Sequence, residues 1–584
     1  MDSRARTTTL ASTNAPGQTN VTRSRFSPLL TIASAFAASL PVAAAEPDAG
    51  AIRRSIEDTL TNRPAPKPTP APLDITPAPS RADGVAVVIN RFDFRGNTKL
   101  PTERLDRVVT EFVGRQIRFG DLRAAADAVA QEYRKGGWVV RALLPQQDLT
   151  NGVCVIEIVE ATLGEVRVLG ADGKSPEIRV APDRLKGFAT HALPPGQPLN
   201  AFDLDRAILL ADDVPGVRVQ GTLTQGATGA ASDLVLTATP APLVLGSVIL
   251  DQQGARSTGA ERVIGSASLA SPFGLGDLIS VNAMHTAGTD YGRVAASMPV
   301  GYSGARVGIN VSDLHYRLVG SAFSSLNASG SSTSFGIDAG YPLIRSRTSN
   351  ASLQLAFDHR SFSNSSGGAL VSHYAVDALS ATISGTTPDA FGWTSYSVTA
   401  SAGNVDLAGS PSQSADASGP RTAGSFSKIR WLLFRGQPLI DRVTANLQFS
   451  GQIASKNLDS SEKFQLGGPQ GVRAYPVGEG AGAEALLLNA DISYAISEAW
   501  RTFTFFDAGR VRVDADPSSS SPSPNAYGLR GVGFGIVWEQ RPNWAISAMV
   551  ARRLGSHPAA TATGSDQDGS HIRNRFWASV RYAF

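Results

Sequence analysis

After Pro242 the apolar positions of this 584-residue chain fall on every second residue, and the pattern persists to the C-terminus. In ASLQLAFDH, Leu353, Leu355 and Phe357 alternate with Gln354 and Ala356, and in SYSVTASA, Tyr396, Val398 and Ala400 alternate with Ser397, Thr399 and Ser401. The period recurs at Val443, Ala445, Leu447 and Phe449 against Thr444, Asn446, Gln448 and Ser450, then at Val532, Phe534, Ile536 and Trp538 against Gly531, Gly533 and Gly535. Period two with one apolar and one small or polar face predicts strands that separate two media. A soluble sandwich also alternates, but its outer face would carry many more lysines and glutamates. Long Gly/Ser-rich stretches such as 403–426 alternate with tight connections, and the last strand, NRFWASVRYAF, places Phe576, Ala578, Val580, Tyr582 and Phe584 on one face. Together these predict a transmembrane β-barrel over 242–584. Roughly 340 residues, at about 20–22 per strand with its share of loop, correspond to about 16 strands, and bacterial single-chain barrels have even strand numbers. A barrel of that size has a lumen wide enough to require filling or to conduct.

Upstream of residue 242 the period changes. Residues 84–162 read as a small α+β unit: a strand VAVVINRFDF, a helix with Leu105, Val108, Val109 and Phe112 on one face, and a second helix opening at Asp121, a candidate cap. That second helix repeats Leu122, Ala125, Ala126, Val129 and Tyr133 and stops at Gly136-Gly137, before the strands WVVRALLP and GVCVIEIVEA. Cys154, Ile156 and Ile158 share a parity, so Cys154, the chain's one cysteine, is expected in the core with no disulfide partner. Residues 163–241 repeat the order more weakly, giving two modules in tandem. Residues 61–83 hold proline at nearly every second position from Pro64 to Pro72, an extended linker that at about 3.1 Å per residue reaches roughly 60 Å. Before it, residues 46–60 contain a short helix with Ile52, Ile56 and Leu60 at spacing four. Residues 1–45 read as a secretory leader: Arg23 and Arg25, an apolar stretch, and Ala43-Ala44-Ala45 before Glu46.

Composition narrows the function classes. Only 18% of residues are charged and the net charge is +3, so no nucleic-acid partner is indicated. No apolar run after residue 45 reaches the length of a membrane helix. No phosphate-binding Gly-Lys-Ser/Thr loop occurs, and the seven histidines fall at scattered positions without metal-ligand spacing; no catalytic residue, cofactor or metal site is expected, and the chain reads as a non-enzyme.

One stretch remains to be explained. FQLGGPQGVRAYPVGEG, within 464–482, surrounds a single guanidinium, Arg473, with glycines. Downstream, TFTFFDAGRV places Phe503, Phe505, Asp507 and Gly509 on one face; a carboxylate facing hydrocarbon would be costly, so that face should point into the lumen. Asp507 is then the candidate partner of Arg473 if the loop folds inward, with Gly467, Gly468 and Gly471 permitting close backbone approach. On these residues alone, an exposed loop with a solvated arginine is the alternative.

Gly471-Val472-Arg473-Ala474-Tyr475 and Phe505-Phe506-Asp507-Ala508-Gly509 resemble the VRG(Y/F) and F-x-D-x-G motifs of the haemolysin secretion/activation (ShlB/FhaC/HecB) family, the TpsB transporters of two-partner secretion. RGNTKL, YRKGGWVVRALLPQQDLTNG, IEIVEATLGEVRVLG and DQQGARSTGAERVIGSASLASPFGLGD extend the resemblance over nearly the whole chain. Two departures are Ala474 for the motif glycine and Gln252 or Gln253 for an asparagine. The resemblance implies a mostly-β protein with a 16-stranded outer-membrane barrel and two periplasmic polypeptide-transport-associated (POTRA) domains. It implies an N-terminal helix and inward loop that occupy the resting pore. The implied function is recognition and export of a TpsA-type exoprotein, such as a haemolysin or filamentous adhesin, through the POTRA domains, with activation of that partner left open. Phe576, Tyr582 and Phe584 would form the C-terminal signal read by the outer-membrane assembly machinery before the barrel meets lipid. The alternative is a barrel-insertion factor of the BamA-like superfamily.

Overall fold

The computed structural model describes residues 47–61, 86–227, 231–518, 520–561 and 563–584. The expected leader and, beyond Thr61, the proline-rich linker lie outside them. Sixteen antiparallel strands close into a barrel, from Val244–Asp251 to Asn574–Ala583. The alternation selects the wall's two faces. In Arg306–Arg317, Asn310, Ser312, Leu314 and Tyr316 are buried inside, whereas Val307, Ile309 and Val311 are exposed outside. The final strand meets the first only from Ser579, opposite Asp251, to Ala583, opposite Ser247. Phe584 and Gly246 then exchange two backbone hydrogen bonds at 2.9 Å.

Before the barrel, the strands Arg91–Arg95, Val153–Glu160 and Val140–Leu143 form a three-stranded sheet with Val153–Glu160 central. Helix Phe119–Lys135 lays Leu122, Ala125, Ala126, Val129 and Tyr133 into the core. The Asp121 carboxylate does cap its start, but from inside the first turn, accepting from Arg118 N at 2.8 Å. Gly137, at φ 79°, ends the helix where only glycine adopts the turn without strain, and a Cβ there would lie 2.6 Å from Asn200 Oδ1. Cys154 is fully buried, and burial pushes its thiol up to about 11.

The next segment repeats the order with a different sheet. Thr162–Leu169 runs parallel to Ala231–Pro240, which pairs antiparallel with Val217–Gln225, under helices Pro182–Ala192 and Ala201–Asp212. Backbone hydrogen bonds fuse the two units: Val139 N to Leu199 O at 3.1 Å, Leu199 N to Ala161 O at 2.7 Å and Ala201 N to Gly137 O at 2.7 Å. The second unit also docks on the short-turn end of the barrel. Arg345 grips Asp213 through Nε and Nη2, both at 2.7 Å, Arg347 reaches Asp205 at 3.0 Å, and Arg206 Nη2 donates to Pro342 O at 2.7 Å.

Helix Ala49–Thr61 lies inside the barrel. Its Ala49, Ile52 and Ile56 join Ile264, Met284, Tyr291, Leu314 and Phe362 in a lumenal cluster. Arg53, 3% exposed, reaches Ser312 Oγ and Ser334 Oγ at 2.5 Å and Ser332 Oγ at 3.2 Å, with Glu57 on its Nε at 2.9 Å. Serine hydroxyls on three sides and a carboxylate on the fourth satisfy a guanidinium that burial would otherwise penalise.

Candidate functional site

The site begins with a hairpin. Phe464–Gln465 pairs with Ala481–Gly482, so the chain between them must fold back, and it folds into the lumen. Val472 N donates to Leu466 O and Tyr475 N to Val472 O, which closes a tight tip around Arg473. The glycines give clearance: a Cβ on Gly471 would sit 2.1 Å from Leu466 O, and one on Gly467 2.5 Å from Pro476 O.

Strand Trp500–Arg512 brings Phe505, Asp507 and Gly509 to the inner face, leaving Phe506 outside. Arg473 lies across that face. Its Nε donates to Asp507 Oδ2 at 2.9 Å and its Nη2 to Asp507 Oδ1 at 2.6 Å, while its own backbone N donates to Oδ2 at 3.0 Å. The guanidinium carbon sits 3.7 Å from the Phe505 ring centroid. Asp507 is 0% and Arg473 7% exposed, so this is a desolvated, fork-to-fork pair.

Three further groups complete the seat. Arg473 Nη2 also donates to Asp491 Oδ1 at 2.8 Å. Asn489, opposite Asp507 in the register, donates through Nδ2 to Asp507 Oδ1 and to Gly471 O, both at 2.8 Å. Trp577, on the last strand, donates Nε1–H to Arg473 O at 2.8 Å. Sequence reasoning missed all three, although ALLLNADISYA carries a signal: Asn489 and Asp491 are polar at one parity of an otherwise apolar strand.

Ala474 is accommodated without distortion. It is fully buried, and the wall position facing it is Gly531, where a Cβ would stand 2.6 Å from that of Ala474. Gly533 and Gly535 likewise leave room for the Phe505 and Phe503 rings, and Gly509 for Leu466. The glycine face of GVGFGI is thus a groove that receives the loop and its aromatic support.

Of the C-terminal positions, Phe576, Tyr582 and Phe584 lie exposed on the outer face. Phe584 carries the closing bonds to Gly246, and Tyr582 packs at a tilt against Trp544, their ring centroids 4.7 Å apart. One of the scattered histidines joins two acidic side chains: His557 Nε2 lies 3.0 Å from Glu479 Oε1 and 3.4 Å from Asp566 Oδ1.

Comparison with known proteins bears on what a filled barrel with an infolded charged loop does. The family model described as haemolysin secretion/activation protein ShlB/FhaC/HecB matches residues 230–537, and that of a ShlB-type POTRA domain matches 87–161. The heme/hemopexin transporter protein HuxB of Haemophilus influenzae is 25% identical over 84% of this chain and 86% of its own. The outer membrane transporter CdiB of Escherichia coli is 30% identical over 35% of this chain and 34% of its own. Among solved structures, CdiB from Escherichia coli superposes with a TM-score of 0.70 at 22% identity, covering 88% of this chain and 94% of that one. BamA from Haemophilus ducreyi, lacking its first three POTRA domains, gives 0.50 at 12% identity, covering 86% of this chain and 100% of that one.

Proposed function

Because the chain belongs to the haemolysin secretion/activation (ShlB/FhaC/HecB) family, we propose that its lumen is the conduit of one dedicated exoprotein, held shut between transits by helix Ala49–Thr61 and the Arg473 loop. The protein is an outer-membrane transporter of the TpsB type, with its POTRA region in the periplasm, and works with a secreted partner. The observation that carries the finer reading is the buried Arg473–Asp507 pair. A hairpin that brings a charge inside a barrel and satisfies it fully there is a seated element of the pore.

The two α/β units are the receptor in this reading. Strand Val217–Gln225 pairs on one side only among the described residues, and Arg218, Gln220, Thr222 and Thr224 project as polar groups along it, an edge suited to an extended peptide added as a further strand. The serine- and asparagine-lined wall offers a passing unfolded chain hydrogen bonds without deep apolar traps. An insertion factor shares the barrel, but a helix anchored in the lumen by Arg53 favours a gated conduit.

The test is export of the partner exoprotein, sought among the products of neighbouring genes and measured in the medium during co-expression. Arg473→Glu sets like charges against Asp507 and Asp491 and should retain the exoprotein in the periplasm while the barrel still shows a heat-modifiable band. Undiminished export by that variant would remove the proposed role.

A further inference from the structure

A second contact on the inward loop uses none of the motif pairings above. Tyr475, 0% exposed, is held between Arg553, whose guanidinium carbon lies 4.3 Å from its ring centroid, and the His557 ring, edge-on at 5.5 Å. Four residues on, fully buried Glu479 accepts through Oε2 from Gln567 N at 2.9 Å, and its Oε1 faces His557 Nε2. Arg553 ends the penultimate strand, and His557, Asp566 and Gln567 belong to the surface loop that joins the last two strands. Arg553 and Arg575, from the strands on either side of that loop, bind Asp566 at 2.5 and 2.7 Å, so the loop is itself clamped to the barrel rim.

Glu479, His557 and Asp566 offer the donor types of a cation site, yet their wiring is different. Ala559 N donates to His557 Nδ1 at 3.2 Å, and an imidazole that accepts at Nδ1 carries its proton on Nε2. That proton faces the two carboxylates, and both arginines already serve Asp566. Among the described residues neither Glu479 Oε1 nor His557 Nε2 makes a hydrogen bond, so the 3.0 Å approach between them is an electrostatic contact between two buried groups.

We propose that the loop joining the last two strands is an outer clasp on the inward loop, gripping Tyr475 and Glu479 through Arg553, His557 and Gln567, and that it must release before a chain can leave the pore. Arg473 fixes the loop to the wall from below; the clasp fixes it from the outer side through different residues, the last strand contributing Trp577 to the first attachment and Arg575 to the anchoring of the second. The two attachments therefore open separately, and the clasp is the one within reach of the outer surface.

This rests on the reading that the inward loop blocks the pore, and the experiment separates the two. Glu479→Cys and Gln567→Cys are combined, bridged across the short gap by a bis-methanethiosulfonate, which forms a disulfide with each thiol by releasing sulfinate and is cleaved by a reductant, and studied in planar bilayers and by export; Cys154, buried, does not compete. The bridged protein should lose export by about tenfold or more and recover it on cleavage. His557→Ala, checked for folding by its heat-modifiable band, removes the edge-on contact with Tyr475 and the charge contact with Glu479 and should raise channel-opening frequency by about tenfold. Deleting residues 46–60 serves as the control on the pore. If that deletion opens the channel while the complete bridge leaves export unchanged, the clasp is wrong and the pore reading stands. If neither the deletion nor the bridge alters conductance or export, both are wrong.

Discussion

Arg473 draws its binding from four strands at once: Asp491, Asp507, the Gly531 groove under Ala474, and Trp577. Removing one partner of such a buried pair costs about 3–5 kcal/mol, because the other charge stays uncompensated. Arg473→Ala should therefore unseat the loop and expose residues 464–482 to protease in intact cells, and persisting protection would contradict this. A charge swap between Arg473 and Asp507 looks compensating from the sequence alone. The structure predicts otherwise: an aspartate at 473 would face Asp491, so export should stay low in the double variant. Trp577→Phe should cost about 1 kcal/mol, the loss of one hydrogen bond to a buried carbonyl, and read out as increased leak conductance. The Arg473–Asp507 couple was legible because two short motifs and strand parity point to it. Asp491, Asn489 and Trp577 were not, since their roles depend on the register between strands, which no local pattern encodes. Burial pushes the Glu160 carboxyl up, but hydrogen bonds from Thr98, Lys99 N and Tyr133 outweigh it and hold the group below its ordinary 4.5. The stabilisation is thus complete above about pH 4.5 and is lost as pH falls through the depressed folded value. The difference in hydrogen-exchange protection of strand Val153–Glu160 between wild type and Glu160→Gln, compared at equal pH, should be present at pH 7 and vanish in acid.

At the scale of elements, the lumenal helix is held by polar contacts at both ends and by Arg53 in the middle. Ala49 N donates to Asn364 Oδ1 at 2.9 Å and Ser460 Oγ to Asp48 at 2.7 Å, while Asp58 meets Arg430 at 3.1 Å. At Gly50 the fit is closest, since a Cβ there would fall 2.4 Å from Ser460 Oγ. Gly50→Leu should therefore raise conductance much as deletion of residues 46–60 does, and unchanged conductance in both would count against a plug. The strands were readable because lipid on one side and a wet lumen on the other impose period two on each of them. The stretch 403–426, read as one long loop, contains strand to Asp406, a short helix Gln413–Ser418 and strand again from Gly424. Its glycines and serines hid this because the strand ends stand beyond the apolar band, where no hydrocarbon enforces alternation.

For the whole molecule, closure is the thinnest part of the wall. Above Ser579, among the described residues, the last strand is tied to the first only through Gln252, whose N donates to Ala578 O at 3.3 Å and whose Nε2 donates to Phe576 O at 3.1 Å. Removing Phe584 takes away the paired bonds to Gly246 and an outward aromatic at the membrane boundary. The variant should accumulate without forming a heat-modifiable barrel, and normal assembly would argue against a role for this terminus in insertion.

The docking of the second α/β unit is one-sided. Its bonds fall on the short turns at 271–277, where Ser271 Oγ donates to Pro215 O and Ala181 N to Gly274 O, near Pro299, and around Pro342 to Arg347; among the described residues the turns at 389–392, 440–443 and 540–544 take no part in them. The periplasmic mouth is consequently lopsided, sheltered on one flank and open on the other. In the conduit reading proposed above, a chain enters from the open flank, on the side of the barrel where the Arg473 hairpin is anchored, so the obstruction and the approach route share one arc of the wall.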